Sequence, residues 1–394
     1  MKILKNTKLC NGCHACFSVC PKDCIAMRAN AEGFLYPKID DNVCVSCGLC
    51  KKICPMNKTQ TERTGETKTP KAFAVINKNE EIRMQSSSGG VFTLLAEKII
   101  NEGGVVFGAR FNENWQAEHD YTETTQGLAA FRGSKYVQSK IGNSYKKAKD
   151  FLEAGKKVLF TATPCQIGGL KSYLQKDYEN LICADIICHG VPSPKVWQKY
   201  VLFREKTAKS KTGKIASRRK NCGWTQFSVS FAFANDTEYC EIFNKDIFMQ
   251  VFLKDLCLRS SCYQCGFKSV NRTSDITIAD FWGVQNVAPK MFDDKGTSLV
   301  LTQSPKGQKI FDEIKSDTNF AEVDCEKSLQ FNPAAIRSCI KPKNRDKFMK
   351  NIDKLPFDKL VKKYERESLL NVVFRFIRRV LGKIKRILFN SGKI

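Results

Sequence analysis

The residues able to do chemistry in this sequence are mostly thiols. "CNGCHACFSVCP", residues 10 to 21, sets Cys10, Cys13, Cys16 and Cys20 ahead of Pro21, and the same C-x2-C-x2-C-x3-C-P spacing returns at Cys44, Cys47, Cys50 and Cys54 ahead of Pro55. Three cysteines at two-residue gaps wrap the chain around an iron-sulfur cubane, and the fourth turns away to serve the other cluster. One 4Fe-4S cluster is therefore expected on Cys10, Cys13, Cys16 and Cys54, and a second on Cys44, Cys47, Cys50 and Cys20. Structural zinc prefers two C-x-x-C knuckles meeting at one tetrahedral ion, which two interlocked, proline-closed quartets fit poorly.

A looser set of thiols lies downstream. "DLCLRSSCYQCGF" contains Cys257, Cys262 and Cys265, and its C-x-x-C supplies two sulfurs of a four-sulfur site. Cys165 and Cys188 are the best sources of the other two, with Cys257 as a substitute; a zinc knuckle or scattered free thiols are the alternatives. Cys183 falls within an apolar run and reads as core, and Cys24 as a small packed residue. Cys222, Cys240, Cys325 and Cys339 show no pattern. His14, inside the first cysteine loop, reads as a solvated residue.

These thiols need a frame. Between the two cysteine runs "IAMRANAEGFLYPKI" alternates in polarity and turns at Glu32-Gly33, so a hairpin joins the halves of a small module, residues 1–55. "MNKTQTERTGETKTP", residues 56–70, has no apolar periodicity and reads as a linker. Strand "KAFAVI", a helix from Val91 and strand "VVFGARF" then give a βαβ rhythm. A second βαβ follows, with strand 156–162, a helix to about Leu174 and strand 181–187. Cys165 and Cys188 fall in loops leaving the carboxyl ends of these strands, where ligands of parallel sheets collect. The expected fold is α+β: a bacterial-type two-cluster ferredoxin, a larger mixed α/β body over residues 71–345, and a basic extension over 346–394.

Two polar stretches could serve an anionic cofactor. "SSSGG", residues 86 to 90, opens a helix, whose N-terminal amides and dipole favour phosphate; a plain serine cap is the alternative. "FRGSKYVQSK", residues 131 to 140, places Arg132, Ser134 and Lys135 in a basic loop.

Composition narrows the function classes. Nineteen cysteines in 394 residues, an odd number, argue against complete disulfide pairing. "MKILKNTKLC" reaches a cysteine before a signal-peptide apolar region can form, so a cytoplasmic protein with thiols kept for metal is expected. The net charge of +25 would suggest nucleic acid, but three clusters of about −2 each bring it to roughly +19, which weakens that reading.

Taken in order, "SSSGGVFTLLA", "GGVVFGARF", "RGSKYVQS", "VLFTATPCQIGGL", "ICHGVPSPKVW", Gly223-Trp224, "LRSSCYQC" and "DITIADFWG" resemble the coenzyme F420 hydrogenase/dehydrogenase beta-subunit family, in its form with an N-terminal two-cluster ferredoxin. The resemblance covers roughly residues 1 to 305. It implies FAD, a further 4Fe-4S cluster in the body, and an oxidoreductase that moves electrons between iron-sulfur centres and coenzyme F420 or another small organic acceptor. A ferredoxin or other redox partner would exchange electrons with it; a noncatalytic electron-transfer subunit is the alternative. On this resemblance Ser87, Ser88, Gly89, Gly90, Arg132, Ser134 and Lys135 are candidates to grip flavin or coenzyme phosphates. Asp280, Phe281 and Trp282 could line a substrate pocket or be core, and His189, beside Cys188, is the candidate proton donor. The sequence departs from the family pattern at Ala162 and Ala279, where glycine is usual, which puts coenzyme F420 itself in doubt.

From Leu369 to Phe389 apolar residues at helical spacing oppose Arg375, Arg378, Arg379, Lys383 and Arg386. This pattern predicts an amphipathic helix lying on an anionic membrane surface, at its inner face, or in a partner's groove.

Overall fold

The computed structural model describes residues 2–59 and 69–365. The amphipathic segment expected at 369–389 and the middle of the expected linker lie outside these residues.

The N-terminal module is built around one hairpin, β1 (Ile25–Ala29) paired antiparallel with β2 (Leu35–Ile39). Each cysteine run coils into a short helical turn, Ala15–Ser18 and Leu49–Lys52, and the buried sulfurs with Ile3, Leu4 and Ile25 form the module's small core.

The body holds an eight-stranded mixed sheet. Its strands are β3 (Lys71–Asn77), β4 (Val105–Phe111), β5 (Ala117–Thr122), β6 (Val158–Ala162), β7 (Leu181–Ile186), then β11 (Ile276–Asp280), β12 (Ser298–Thr302) and β13 (Thr318–Val323). Between β7 and β11 in sequence lie β8 (Thr212–Arg219), β9 (Ser228–Phe233) and β10 (Glu238–Ile242), which form a separate antiparallel sheet that the sequence pattern does not announce. The large sheet has the order β13-β3-β12-β11-β7-β6-β4-β5. Its centre, β4-β6-β7-β11, is parallel, and its flanks are antiparallel. Central strands such as "VLFTA" are apolar almost throughout because helices cover both faces.

The second βαβ forms as expected, with β6 and β7 adjacent and parallel across helix Pro164–Leu174. The first does not place its strands side by side: β3 and β4 share the sheet with four strands between them. Local periodicity gives element type, but β6, β7, β11 and β12, which come later in the chain, take the places between β3 and β4.

The body's core does not stop at residue 345. Phe348, Met349, Ile352, Phe357, Leu360 and Val361 pack in one cluster with Trp197, Tyr200, Phe248 and Phe252, so the described part of the extension belongs to the body. Among the described residues no helix is long and apolar enough to cross a membrane.

Candidate electron-transfer centre

The module's cysteines gather in two groups of four. Cys13 and Cys16 feel the charges of Cys10 and Cys54, whereas Cys20, Cys44, Cys47 and Cys50 line one cavity together. Without metal, burial foremost and then neighbouring sulfurs push the Cys54 thiol up to about 11 and the buried Cys13 and Cys16 higher than a free thiol. An all-thiolate quartet there requires a cation, which iron provides. Cys24 also reaches the second cavity, its Sγ 3.3 Å from that of Cys20. His14 is not solvated: it is 2% exposed, in left-handed conformation, and its ring meets Phe17 edge-on at 6.0 Å. The tight turn between Cys13 and Cys16 points the ring inward, which spacing alone does not reveal.

In the body a single cavity is lined by Cys165, Cys188, Cys262 and Cys265 together. Separate stretches of chain build it. Helix Pro164–Leu174 starts with a Thr163/Gln166 capping box and Pro164 at its first position, which sets Cys165 in the first turn, where the helix dipole favours an anion. Cys188 sits just past β7, and Cys262 and Cys265 belong to the 3-10 turn Ser260–Gln264 and its end, with Val191 N–H donating to Cys262 Sγ at 3.4 Å. Arg259 and Lys268 line the same cavity, their cationic groups donating to backbone carbonyls and to Gln138. Four sulfurs beside Arg259, Lys268 and Arg272, the last paired with Asp185, suit an anionic sulfur-ligated group. Cys257 is instead fully buried in the core, with its thiol pushed up to about 12 by burial, and is no substitute ligand.

The module docks on this cavity. Arg259 donates Nε–H to Cys10 O at 2.7 Å, one guanidinium N–H to Leu35 O at 2.9 Å and the other to Gln138 Oε1 at 2.9 Å. Gln138 in turn donates to Asn11 O at 2.9 Å. At Gly169, on the helix whose first turn carries Cys165, a Cβ would lie 2.8 Å from Cys13 Cβ and 3.0 Å from its Sγ. Only glycine allows that approach. On the hairpin side, Arg345 pairs with both Glu32 carboxylate oxygens, one at 2.6 Å.

The other expected residues fall in a second region. Ser87 and Ser134 hydroxyls hydrogen-bond at 2.8 Å, so the structure brings "SSSGG" and "RGSK" together. Ser88 Oγ donates to Thr297 O at 2.7 Å, and Gly89 N–H donates to Ser298 Oγ at 3.0 Å. Gly90 caps helix Val91–Asn101 in a left-handed conformation. Arg132 donates to Thr93 Oγ1 and Gln85 Oε1, and Lys135 to the carbonyls of Ala130, Arg132 and Gly133. Sequence reasoning missed the neighbours that complete this region. Arg218 makes a bidentate pair with Asp280 at 2.8 and 3.0 Å and donates to Ser87 O at 3.1 Å, and Lys220 Nζ donates to the carbonyls of Arg83, Ser88 and Lys295. "SRRK", residues 217 to 220, carried the signal as a basic strand end. Phe281 is fully buried core, while Trp282 stacks on Trp224 at 4.8 Å between ring centres. The methyls of Ala162 and Ala279 pack into apolar clusters. His189 has its Nε2 engaged by Asp255 Oδ1 at 2.6 Å.

Comparison with known proteins matches two stretches of the chain. Residues 155–328 match the family described as the C terminus of the coenzyme F420 hydrogenase/dehydrogenase beta subunit, and residues 9–58 match the 4Fe-4S dicluster domain. Residues 155–328 belong to that beta-subunit family. Ahead of this beta-subunit body the chain carries an iron-sulfur dicluster domain. The F subunit of F(420)H(2) dehydrogenase from Methanosarcina mazei is 25% identical over 203 residues, 48% of this chain and 57% of that protein. Ferredoxin 7Fe of Hydrogenibacillus schlegelii is 42% identical over 43 residues, 11% of this chain and 49% of that one. The chain thus spans about half the length of these curated relatives. A chain of the F420-reducing NiFe hydrogenase complex from Methanosarcina barkeri aligns with a TM-score of 0.45 at 18% identity, over 74% of this chain and 90% of that one; the superposition is too loose to argue from.

Proposed function

We propose that this chain is an iron-sulfur flavoprotein subunit of an oxidoreductase, passing electrons between a ferredoxin-like redox partner and a small organic acceptor of the coenzyme F420 kind. The observation that carries the proposal is the contact at Gly169, where the Cys13 quartet packs on the helix whose first turn presents Cys165 to the four-cysteine cavity. The module's second quartet, with Cys47 exposed, offers a partner an outer point of entry. Cys165, Cys188, Cys262 and Cys265 would hold a third 4Fe-4S cluster, balanced by Arg259 and Lys268. FAD, when bound, supplies exchange between one-electron carriers and a two-electron organic acceptor.

Ser87 and Ser134, with the N-terminus of helix Val91–Asn101, Gly89, Gly90 and the basic side chains Arg132, Lys135, Arg218 and Lys220, form a donor-rich region suited to the flavin's phosphates. Asp280 fixes the plane of Arg218 through its two hydrogen bonds. Anaerobic purification of the full chain followed by iron, acid-labile sulfide and flavin analysis tests the reading, with about twelve irons and one FAD expected.

One observation favours a second reading. Ser88, Arg132, Lys135 and Lys220 already spend their hydrogen bonds on protein groups. About eight irons and no flavin would make the chain a noncatalytic electron-transfer subunit whose organic site belongs to a partner.

A further inference from the structure

At the edge of the four-cysteine cavity, which His189 also lines, lies a cluster that the electron path does not use. His189 follows β7, Asp255 lies just past helix Ile247–Leu253, and Cys339 comes from the segment ahead of helix Arg345–Lys350. One ligand atom from each lies within 4.8 Å of the other two. Asp255 Oδ1 at 2.6 Å and Cys339 Sγ at 3.5 Å both approach the same nitrogen, Nε2 of His189. A thiol-imidazole-carboxylate relay would need the carboxylate on one ring nitrogen and the thiol on the other. With both groups on one nitrogen that relay is not formed; the thiol also donates to His189 O at 3.0 Å, and three potential ligand atoms are left within reach of one ion.

We propose that His189, Asp255 and Cys339 form a mononuclear site for a divalent transition ion, with zinc the preferred occupant. Thiolate and imidazole exclude the hard, oxygen-seeking calcium and magnesium, and the S, N, O set is one zinc accepts. Neutral imidazole with two anionic donors balances a doubly charged ion. Bond lengths of about 2.0 to 2.1 Å would set the nitrogen and oxygen about 3.3 Å apart in a tetrahedron. That is less than about 1 Å wider than their present separation. The site is also held from behind. Asp255 adopts a left-handed conformation, φ 57°, fixed by its N–H to Phe252 O at 2.9 Å and by Tyr263, whose hydroxyl donates to its carbonyl. Phe252 meets the imidazole edge-on at 5.2 Å. The His189 side chain is 39% exposed, so water reaches the fourth position.

The test uses the full chain, anaerobically reconstituted with iron and sulfide, loaded with zinc alone and desalted. Wild type and Cys222→Ser are expected to retain about one zinc, and Cys339→Ser and Asp255→Asn to lose most of it while keeping wild-type iron. Zinc K-edge absorption of the wild type should show one sulfur near about 2.3 Å with nitrogen and oxygen near about 2.0 Å, as four-coordinate zinc requires. No zinc in the wild type, equal zinc in Cys339→Ser, or an equal loss in Cys222→Ser overturns the proposal. A loss of iron in Cys339→Ser also overturns it, by making Cys339 a cluster ligand. Iron retention in both variants serves as the folding control.

Discussion

The dicluster module and the body each bring four thiols together, in opposite ways. In the module each quartet takes three sulfurs from seven consecutive residues and one from the other run. In the body four sulfurs come from Cys165, Cys188, Cys262 and Cys265, carried by a helix start, a strand exit and a turn. The first site is fixed by local spacing and the second by the sheet. The body's site therefore inherits the stability of the whole sheet, whereas the module's sites depend on short-range geometry.

That contrast can be broken most severely at the body site. Cys262→Ser is expected to lower iron from about twelve to about eight per chain and leave the module's reduced-cluster EPR signals in place. Arg259→Met comes next. It strips three hydrogen bonds from a buried cation joining module to body, a loss of about 3 kcal/mol, to be read as a lower denaturation midpoint with unchanged iron in the module. Gly169→Ala puts a methyl 2.8 Å from Cys13 Cβ and from Tyr145 Oη, costing about 1 to 2 kcal/mol. The same variant should slow electron transfer from module to body in stopped-flow reduction, which Gly103→Ala, with no neighbour within 4 Å, should not.

A further effect is read through pH. Burial foremost, then Arg83, pushes the Lys220 ammonium down to about 7, from about 10.4 in an unfolded chain. The unfolded state thus binds the extra proton between those values, and stability rises with pH across that window. The melting-temperature difference between wild type and Lys220→Met should therefore grow in favour of the wild type from about pH 6.5 to about pH 9. A constant difference would show that the three carbonyls around Nζ keep it charged.

Legibility in the sequence followed the same division. The module's two cysteine groups, its hairpin and the turn at Glu32-Gly33 were readable because each is set by neighbours within a few residues. The body's four cysteines were picked out as residues near strand ends, but their meeting depends on β7 lying between β6 and β11. Arg218, Lys220 and Asp280 were not joined in advance, because β8 and β11 approach only through tertiary packing. Placing the end of the body at 345 failed because Phe348, Phe357 and Leu360 are spaced as helix faces, and the sequence does not say what they face.

The pairing of Glu32 with Arg345 spans 313 positions of chain. During synthesis, both cysteine runs leave the ribosome long before their clamp exists. The module can thus receive iron and sulfide while still untethered, and its docking is completed only when the last part of the body arrives. Closure of this pair is in this way timed by translation, after both cysteine runs have been made.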